Sequence, residues 1–365
     1  MKKILCIFGT RPEAIKMAPV IQELRRHPET FAATVCVTGQ HRGMLDQVLE
    51  LFDIKPEYDL NLMQENQTLS GLTSRILLGV DAVLQKETPD LVLVQGDTTT
   101  AMTTALVAFY HKVKIGHIEA GLRTGDLQNP FPEEVNRKII DSFSDLYFAP
   151  TEMARQNLLK ESVTPERIIV TGNTVIDALK LIAQEPYDWS TGPLAGISKG
   201  KKLILATTHR RENIGAPLEH ICEGLKRVAS KHTEVHIIIP MHLNPNVRKV
   251  IRTMLGGIEN ISLLEPLDYR SLVHLLKESV LVATDSGGLQ EEAPTFGKPV
   301  LVLRETSERP EGIDAGVAML VGTDAGDIER AIDTLLTDQE SYQRMAHSIN
   351  PYGDGNASKR IVASL

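Results

Sequence analysis

The chain is poor in the features that would place it outside a reducing compartment or in a membrane. It has only three cysteines in 365 residues, Cys6, Cys36 and Cys222, with no CxxC spacing. The count is odd, and Cys6 and Cys36 lie inside strand-like apolar runs, which predicts buried thiols in a reducing cytoplasm. No apolar run approaches the ~20 residues needed to span a bilayer. Met1-Lys2-Lys3 leads straight into a strand pattern, without the apolar core of a signal peptide. A basic excess is also missing. The net charge of −8 argues against nucleic acid as a partner. No G-x-G-x-x-G follows the first strand, and there is no G-x-x-x-x-G-K-[ST], so NAD and P-loop readings lose their support. The histidines show neither H-E-x-x-H nor a zinc spacing, and no metal site is expected.

What remains is a chain that alternates short apolar runs with helical patterns from end to end. Its length is too great for one ordinary core and makes two domains the natural expectation. Lys3–Phe8, Ala33–Thr38, Leu91–Gln95, Ile115–Ile118, Leu146–Ala149 and Ile168–Thr171 read as buried parallel strands. Tyr58–Leu62 is a short addition. A second series follows at Leu203–Thr207, Val235–Ile239, Ile261–Leu264, Val280–Thr284 and Val300–Leu303. The alternation predicts an α/β protein of two doubly wound, Rossmann-like domains facing a cleft. Residues 1–172 would form the first domain and 173–352 the second, with a terminal helix over 353–365 packing back on the first. Glu185–Lys202, with Pro186, Pro193 and three glycines, reads as a linker.

The stretch Val280–Arg309 is one βαβ unit in about thirty residues. The strand stops at Asp285-Ser286-Gly287-Gly288, where paired glycines let a ligand approach the backbone. A helix start there favours phosphate. Glu292 lies one turn past Gly288 on the same face, placed to hold ribose hydroxyls, and Arg309 follows the next strand. The same turn is also what any tight strand-to-helix junction uses. In the first half, polar residues recur at the carboxyl ends of strands, where ligands bind in such sheets. Arg11, with Lys16 in the helix after it, follows the first strand. His41 or its neighbours follow the second, Asp97 the next, and Glu119 the one after. Glu133-Glu134 opens a helix beyond Pro130 and Pro132.

Several stretches are specific enough to name a family. Phe8-Gly9-Thr10-Arg11-Pro12-Glu13-Ala14 resembles the opening of the non-hydrolysing UDP-N-acetylglucosamine 2-epimerases. So do Gln95-Gly96-Asp97-Thr98, His117-Ile118-Glu119-Ala120-Gly121-Leu122-Arg123 and Pro132-Glu133-Glu134-Val135-Asn136-Arg137. Thr208-His209-Arg210-Arg211-Glu212-Asn213, His242-Leu243-Asn244-Pro245, Asp285–Pro294, Glu308-Arg309-Pro310-Glu311 and Asn350–Gly355 are similar as well. The resemblance covers nearly the whole chain. It implies a glycosyltransferase-B-like fold, a homodimer and no redox cofactor. It also implies interconversion of UDP-GlcNAc and UDP-ManNAc, supplying ManNAc-type sugars for cell-surface polysaccharide.

By the same resemblance, Asp97, Glu119 and Glu133 supply the catalytic carboxylates, and His209 assists at the diphosphate or as acid or base. Arg11, Lys16, Arg309 and the turn Ser286-Gly287-Gly288 would stabilise the diphosphate, and Glu292 would hold the ribose. Leu267 and Leu272 stand where some relatives have glutamine and phenylalanine beside the uracil. Gln40, His41, Arg210 and His242 match a second, activating UDP-GlcNAc site, although Gly43 departs from the longer polar residue often found there. The competing readings are a glycosyltransferase of the same fold, a hydrolysing epimerase that releases free ManNAc, and a nucleotide-sugar sensor without turnover.

Overall fold

The computed structural model describes all residues except 40, 41, 65, 66, 198, 199 and 308. It divides into two compact units: Met1–Lys180 with Tyr352–Leu365, and Leu181–Pro351. The dividing point falls inside the helix Thr174–Gln184, where the sequence alone suggested 172. Among the described residues no helix is long and apolar enough to cross a membrane.

In the first unit the strands are β1 (Lys2–Phe8), β2 (Phe31–Val37), β3 (Tyr58–Asp59), β4 (Leu91–Gln95), β5 (Lys114–Ile118), β6 (Leu146–Ala149) and β7 (Ile168–Val170). They form one parallel sheet in the order β3-β2-β1-β4-β5-β6-β7. The order reverses between β1 and β4, which is where an open parallel sheet receives its ligands. Leu5, Ile7, Val92 and Val94 bury one face against Leu72, Ile76 and Val80 of the helix Leu69–Glu87 and Ala101 and Ala105 of the helix Thr99–Tyr110. The alternate residues Ile4, Cys6 and Phe8 are equally buried, on strands that also contact the helix Arg11–Arg25. Helices on both faces explain why these strands are continuously apolar rather than alternating.

The second unit contains β8 (Lys202–Thr207), β9 (Val235–Pro240), β10 (Ile261–Leu264), β11 (Ser279–Thr284), β12 (Val300–Val302) and β13 (Ala318–Leu320). Its order is β10-β9-β8-β11-β12-β13, also parallel, with the reversal between β8 and β11. β13 is a three-residue edge strand too short for a periodic signal, and sequence reading missed it. The expected linker is a correction. Residues 185–202 belong to the second unit, where Tyr187 stacks on His274 at 4.8 Å and its hydroxyl donates to Ser271 Oγ at 2.9 Å. Leu194 is fully buried, so the segment packs although it lacks a period. All three cysteines are free and buried, and burial pushes each thiol up to about 12.

The terminal segment completes the first unit. Asn173 N–H donates to the Tyr352 carbonyl at 2.7 Å. Asp177 then caps the last helix, Ala357–Ala363, accepting from Ala357 N at 3.1 Å, Ser358 N at 2.8 Å and Ser358 Oγ at 2.6 Å.

One backbone position gives a direct test of this packing. Gly121 has φ +87°, and a β-carbon there would lie 2.3 Å from the Ala154 carbonyl oxygen. Gly125, at φ +80°, has nothing within 4 Å. Gly121→Ala adds overpacking to left-handed strain and should cost about 3 kcal/mol or more, against about 1 kcal/mol for Gly125→Ala. Urea midpoints of the two variants check the difference.

Candidate functional site

The first unit gathers its chemistry at the reversal between β1 and β4. Glu119 follows β5 directly and holds φ at +70°, a region costly for a residue with a β-carbon. Its carboxylate receives Lys16 Nζ on both oxygens, at 2.7 and 2.6 Å. It also accepts from Gln95 Nε2 and from Asn173 Nδ2, the latter at 3.3 Å. The Lys16 and Glu119 side chains are 17% and 5% exposed, so the pair is largely shielded from water. Residues from four separate segments thus meet at this carboxylate.

Asp97 follows β4. Its Oδ2 accepts from Arg137 Nε and Nη2 at 2.8 and 2.7 Å, and its carbonyl accepts from Asn136 Nδ2 at 2.8 Å. Arg137 in turn donates to Glu134 at 3.0 Å. Glu134 is fully buried and also holds the Thr124 and Gly125 amides, both at 3.1 Å. Its neighbour Glu133 is half-buried at the start of the helix Glu133–Phe143. The adjacent acids therefore differ in place: Glu134 is structural, and Glu133 is on the more open side.

Arg11 opens the helix after β1 and is half-buried. Glu13 braces that turn by accepting from Gly9 N and Thr10 N at 3.0 and 2.8 Å. Thr98 Oγ1 donates to Glu13 at 2.7 Å, and Thr98 also caps its own helix through Ala101 N at 3.0 Å. The loops after β1 and β4 are tied together by this acid. Burial pushes its carboxyl up, against the opposing effect of its hydrogen-bond donors.

In the second unit the site is built around Asp285, at the end of β11 and fully buried. It accepts from His209 N at 3.0 and 2.9 Å, Arg210 N at 2.9 Å, Asn213 Nδ2 at 2.9 Å and His209 Nδ1 at 2.9 Å. Burial pushes the Asp285 carboxyl up, but His209 and these donors outweigh it and hold it below the usual range. With Nδ1 engaged, the His209 ring is oriented and its Nε2 points elsewhere. The His242 ring lies 6.0 Å away. Burial, then His209, push His242 below the ordinary histidine value, with Asp285 opposing.

Ser286 and Gly287 begin the following helix, Gly287–Glu292, with Gly288 exposed in its first turn. Gly287 matters for what it lacks. A β-carbon there would stand 3.7 Å from Arg210 Nη2 and 3.9 Å from Arg309 Cζ. Two guanidinium groups therefore converge over bare backbone. Arg309 is aimed by Glu291, and its own N–H donates to Ser307 Oγ at 3.0 Å. Glu292 is buried beside the Tyr269 hydroxyl, which donates to it at 3.5 Å. Leu267 is buried just before the helix Tyr269–Glu278, and Leu272 is half-buried within it. Gln40 and His41 lie outside the described residues.

Two doubly wound parallel sheets carrying these groups at their strand ends define a two-domain protein of the glycosyltransferase-B-like plan. A family model described as UDP-N-acetylglucosamine 2-epimerase matches residues 22–365. The UDP-N-acetylglucosamine 2-epimerase of Escherichia coli K12 is 51% identical over 369 residues, with all of this chain and 98% of that protein covered. A crystal structure of a putative UDP-N-acetylglucosamine 2-epimerase from Listeria monocytogenes has a TM-score of 0.94 at 48% identity, covering 100% of this chain and 96% of that one. The Neisseria meningitidis UDP-GlcNAc 2-epimerase bound to UDP-GlcNAc has a TM-score of 0.89 at 48% identity, covering 99% of each chain. The chain belongs to the UDP-N-acetylglucosamine 2-epimerase family.

Several members of these clusters escaped sequence reading as functional residues: Gln95, Arg137, Asn173, Asn213 and, above all, Asp285. The last stood in plain view at a strand end, but its partner His209 is 76 residues away and no spacing links them. Asp285→Asn puts an amide against donors. It should cost roughly 2–3 kcal/mol of stability and weaken activity through a misaligned His209. A carboxylate with a depressed folded pKa contributes stability that is complete above its unfolded value, 3.8, and lost as pH falls through the folded value. The variant should therefore lose less stability than the wild type as the pH falls below about 4, and the two should track each other above it, as read from urea midpoints.

Proposed function

We propose that this protein reversibly epimerises UDP-GlcNAc to UDP-ManNAc at C2 by eliminating and re-adding UDP. The observation that carries the reading is the pair of oriented carboxylates at neighbouring strand ends, Asp97 and Glu119, each held by a cation. The C2 hydrogen has no adjacent carbonyl to acidify it. An available route without a redox cofactor is loss of the C2 proton to a base while the C1–O bond breaks and its electrons leave with UDP. The product is a glycal. Return of a proton to the opposite face of C2 and re-addition of UDP at C1 give the epimer.

In this scheme Asp97, Glu119 and Glu133 supply acid–base groups and balance positive charge developing at C1. Lys16 orients Glu119, and Arg137 orients Asp97. Arg210, Arg309 and the bare turn at Ser286-Gly287-Gly288 stabilise the departing diphosphate. His209, aimed by Asp285, assists there, with Arg11 as a further cation, and Glu292 takes the ribose hydroxyls. Leu267 and Leu272 offer the uracil an apolar edge without an aromatic wall. A second UDP-GlcNAc contacting Arg210 and His242 would activate turnover. The three buried free thiols fit a cytoplasmic setting.

The protein acts as a homodimer in this reading. Phe109 and Tyr110, 53% and 64% exposed, end the helix Thr99–Tyr110, and the Phe143 ring packs at a tilt behind Phe109, 5.3 Å between centroids. An outward aromatic cluster of this kind fits a second copy. Phe109→Asp should shift the protein from dimer to monomer in sedimentation.

Incubation with UDP-GlcNAc in D₂O tests the chemistry. The expected result is deuterium at C2 and a mixture of both UDP-sugars. Free ManNAc as the main product would select hydrolysis, transfer to an acceptor a glycosyltransferase, and unchanged substrate a sensor. Asp97→Asn and Glu119→Gln should each lower kcat roughly 10²–10⁴-fold.

A further inference from the structure

His117 takes no part in the steps above, yet it lies fully buried one residue before the end of β5. Both of its ring nitrogens face acceptors. Nδ1 is 2.6 Å from Asp141 Oδ1, and Nε2 is 2.7 Å from the Gly96 carbonyl oxygen. A neutral imidazole has one N–H and can donate to only one of them. Two bonds to two acceptors require two ring protons, and hence an imidazolium.

The surroundings suit a cation. Asp141, on the helix Glu133–Phe143, also accepts from Arg123 Nη2 at 2.8 Å and from Gly121 N at 3.1 Å. Arg123 is shared with Glu161 across the loop. On β6 the Tyr147 hydroxyl donates to the Asp141 carbonyl at 2.8 Å, and burial pushes that phenol up to about 12, so it stays neutral. Burial raises the Asp141 carboxyl, but His117 and Arg123 outweigh this and hold it below the usual range. The acid is thus a charged anchor shared by Arg123 and the His117 ring.

The acceptor on the other side is the informative one. Gly96 stands between Gln95, whose side chain holds Glu119, and Asp97. Its own N–H donates to the Ile118 carbonyl at 2.9 Å. Residues 117 and 118 therefore grip the Gly96 residue by both its N–H and its carbonyl. A charge-assisted bond is roughly twice as strong as a neutral one, which suits a grip on a glycine, the residue with the softest backbone.

We propose that His117 is a positioning residue: an imidazolium locked by Asp141 that clamps the Gly96 carbonyl and so keeps Asp97 and Glu119 in register for proton transfer. The inference rests on the acid–base reading of those two carboxylates. A histidine that merely fills the core would affect folding and leave turnover per folded molecule intact.

Two measurements test it. With ¹⁵N-labelled histidine, the wild-type protein should show both His117 ring nitrogens protonated at neutral pH. A ring with one unprotonated nitrogen overturns the proposal, whatever the enzyme's substrate. His117→Gln should lower kcat for UDP-GlcNAc epimerisation roughly 10–100-fold, with KM within about threefold because the groups assigned to UDP are untouched. A folded variant with wild-type kcat overturns the proposal. If the variant does not fold, the nitrogen spectrum of the wild type decides alone. Absence of epimerisation by the wild type would strike the functional reading instead, leaving the ring protonation to be judged on its own.

Discussion

The Lys16–Glu119 ion pair holds a carboxylate where backbone preference would not put it. Glu119 departs from β5 with a left-handed φ, at a cost of about 1–2 kcal/mol. The compensation is local: a doubly engaged ammonium and two amide donors, in a place nearly closed to water. Each donor comes from a different segment, the helix after β1, the end of β4 and the start of the helix that leaves β7. Because the partners are so separated in the chain, the bend at Glu119 persists only when the sheet is assembled around it. Strain and site are one feature, which is how costly backbone conformations generally survive.

The second unit solves a similar problem with opposite polarity. Asp285 carries no cation of its own loop but collects amides and an imidazole from the loop after β8, across the strand-order reversal. The result fixes His209 and Arg210 together, so that a ring and a guanidinium are aimed by one buried acid. Next to it the chain omits a side chain at Gly287, and Arg210 and Arg309 close over the space. In both units carboxylates bridge the adjacent strands that flank the reversal, Glu13 and Glu119 in the first and Asp285 in the second.

Much of this was legible from residue order. Strand alternation declared two parallel sheets, because strands covered on both faces must be apolar throughout. Asp97, Glu119, His209 and Ser286-Gly287-Gly288 could be placed at strand ends by the same pattern. The supporting shell was another matter. Glu133 and Glu134 are neighbours of identical chemistry, and only the fold shows that Glu134 is buried on Arg137 while Glu133 remains half-buried. His117 reads as one more polar residue in a strand until Asp141 and Gly96 are seen against its two nitrogens. Residues 185–202 looked like a linker because they lack a period, yet Tyr187 and Leu194 find their partners through the fold. Hydrogen bonds between distant segments leave no trace in spacing, so orientation is what the chain order conceals.

The return of Tyr352–Leu365 to the first unit carries a consequence for how the protein is made. The opening 180 residues leave the ribosome long before their last helix exists. Asp177 must wait for Ala357 and Ser358, and Asn173 for Tyr352, while the whole second unit is synthesised in between. Domains usually mature in order of emergence. Here the unit translated first is sealed last, and the inserted one can finish its fold while the earlier remains open at one edge.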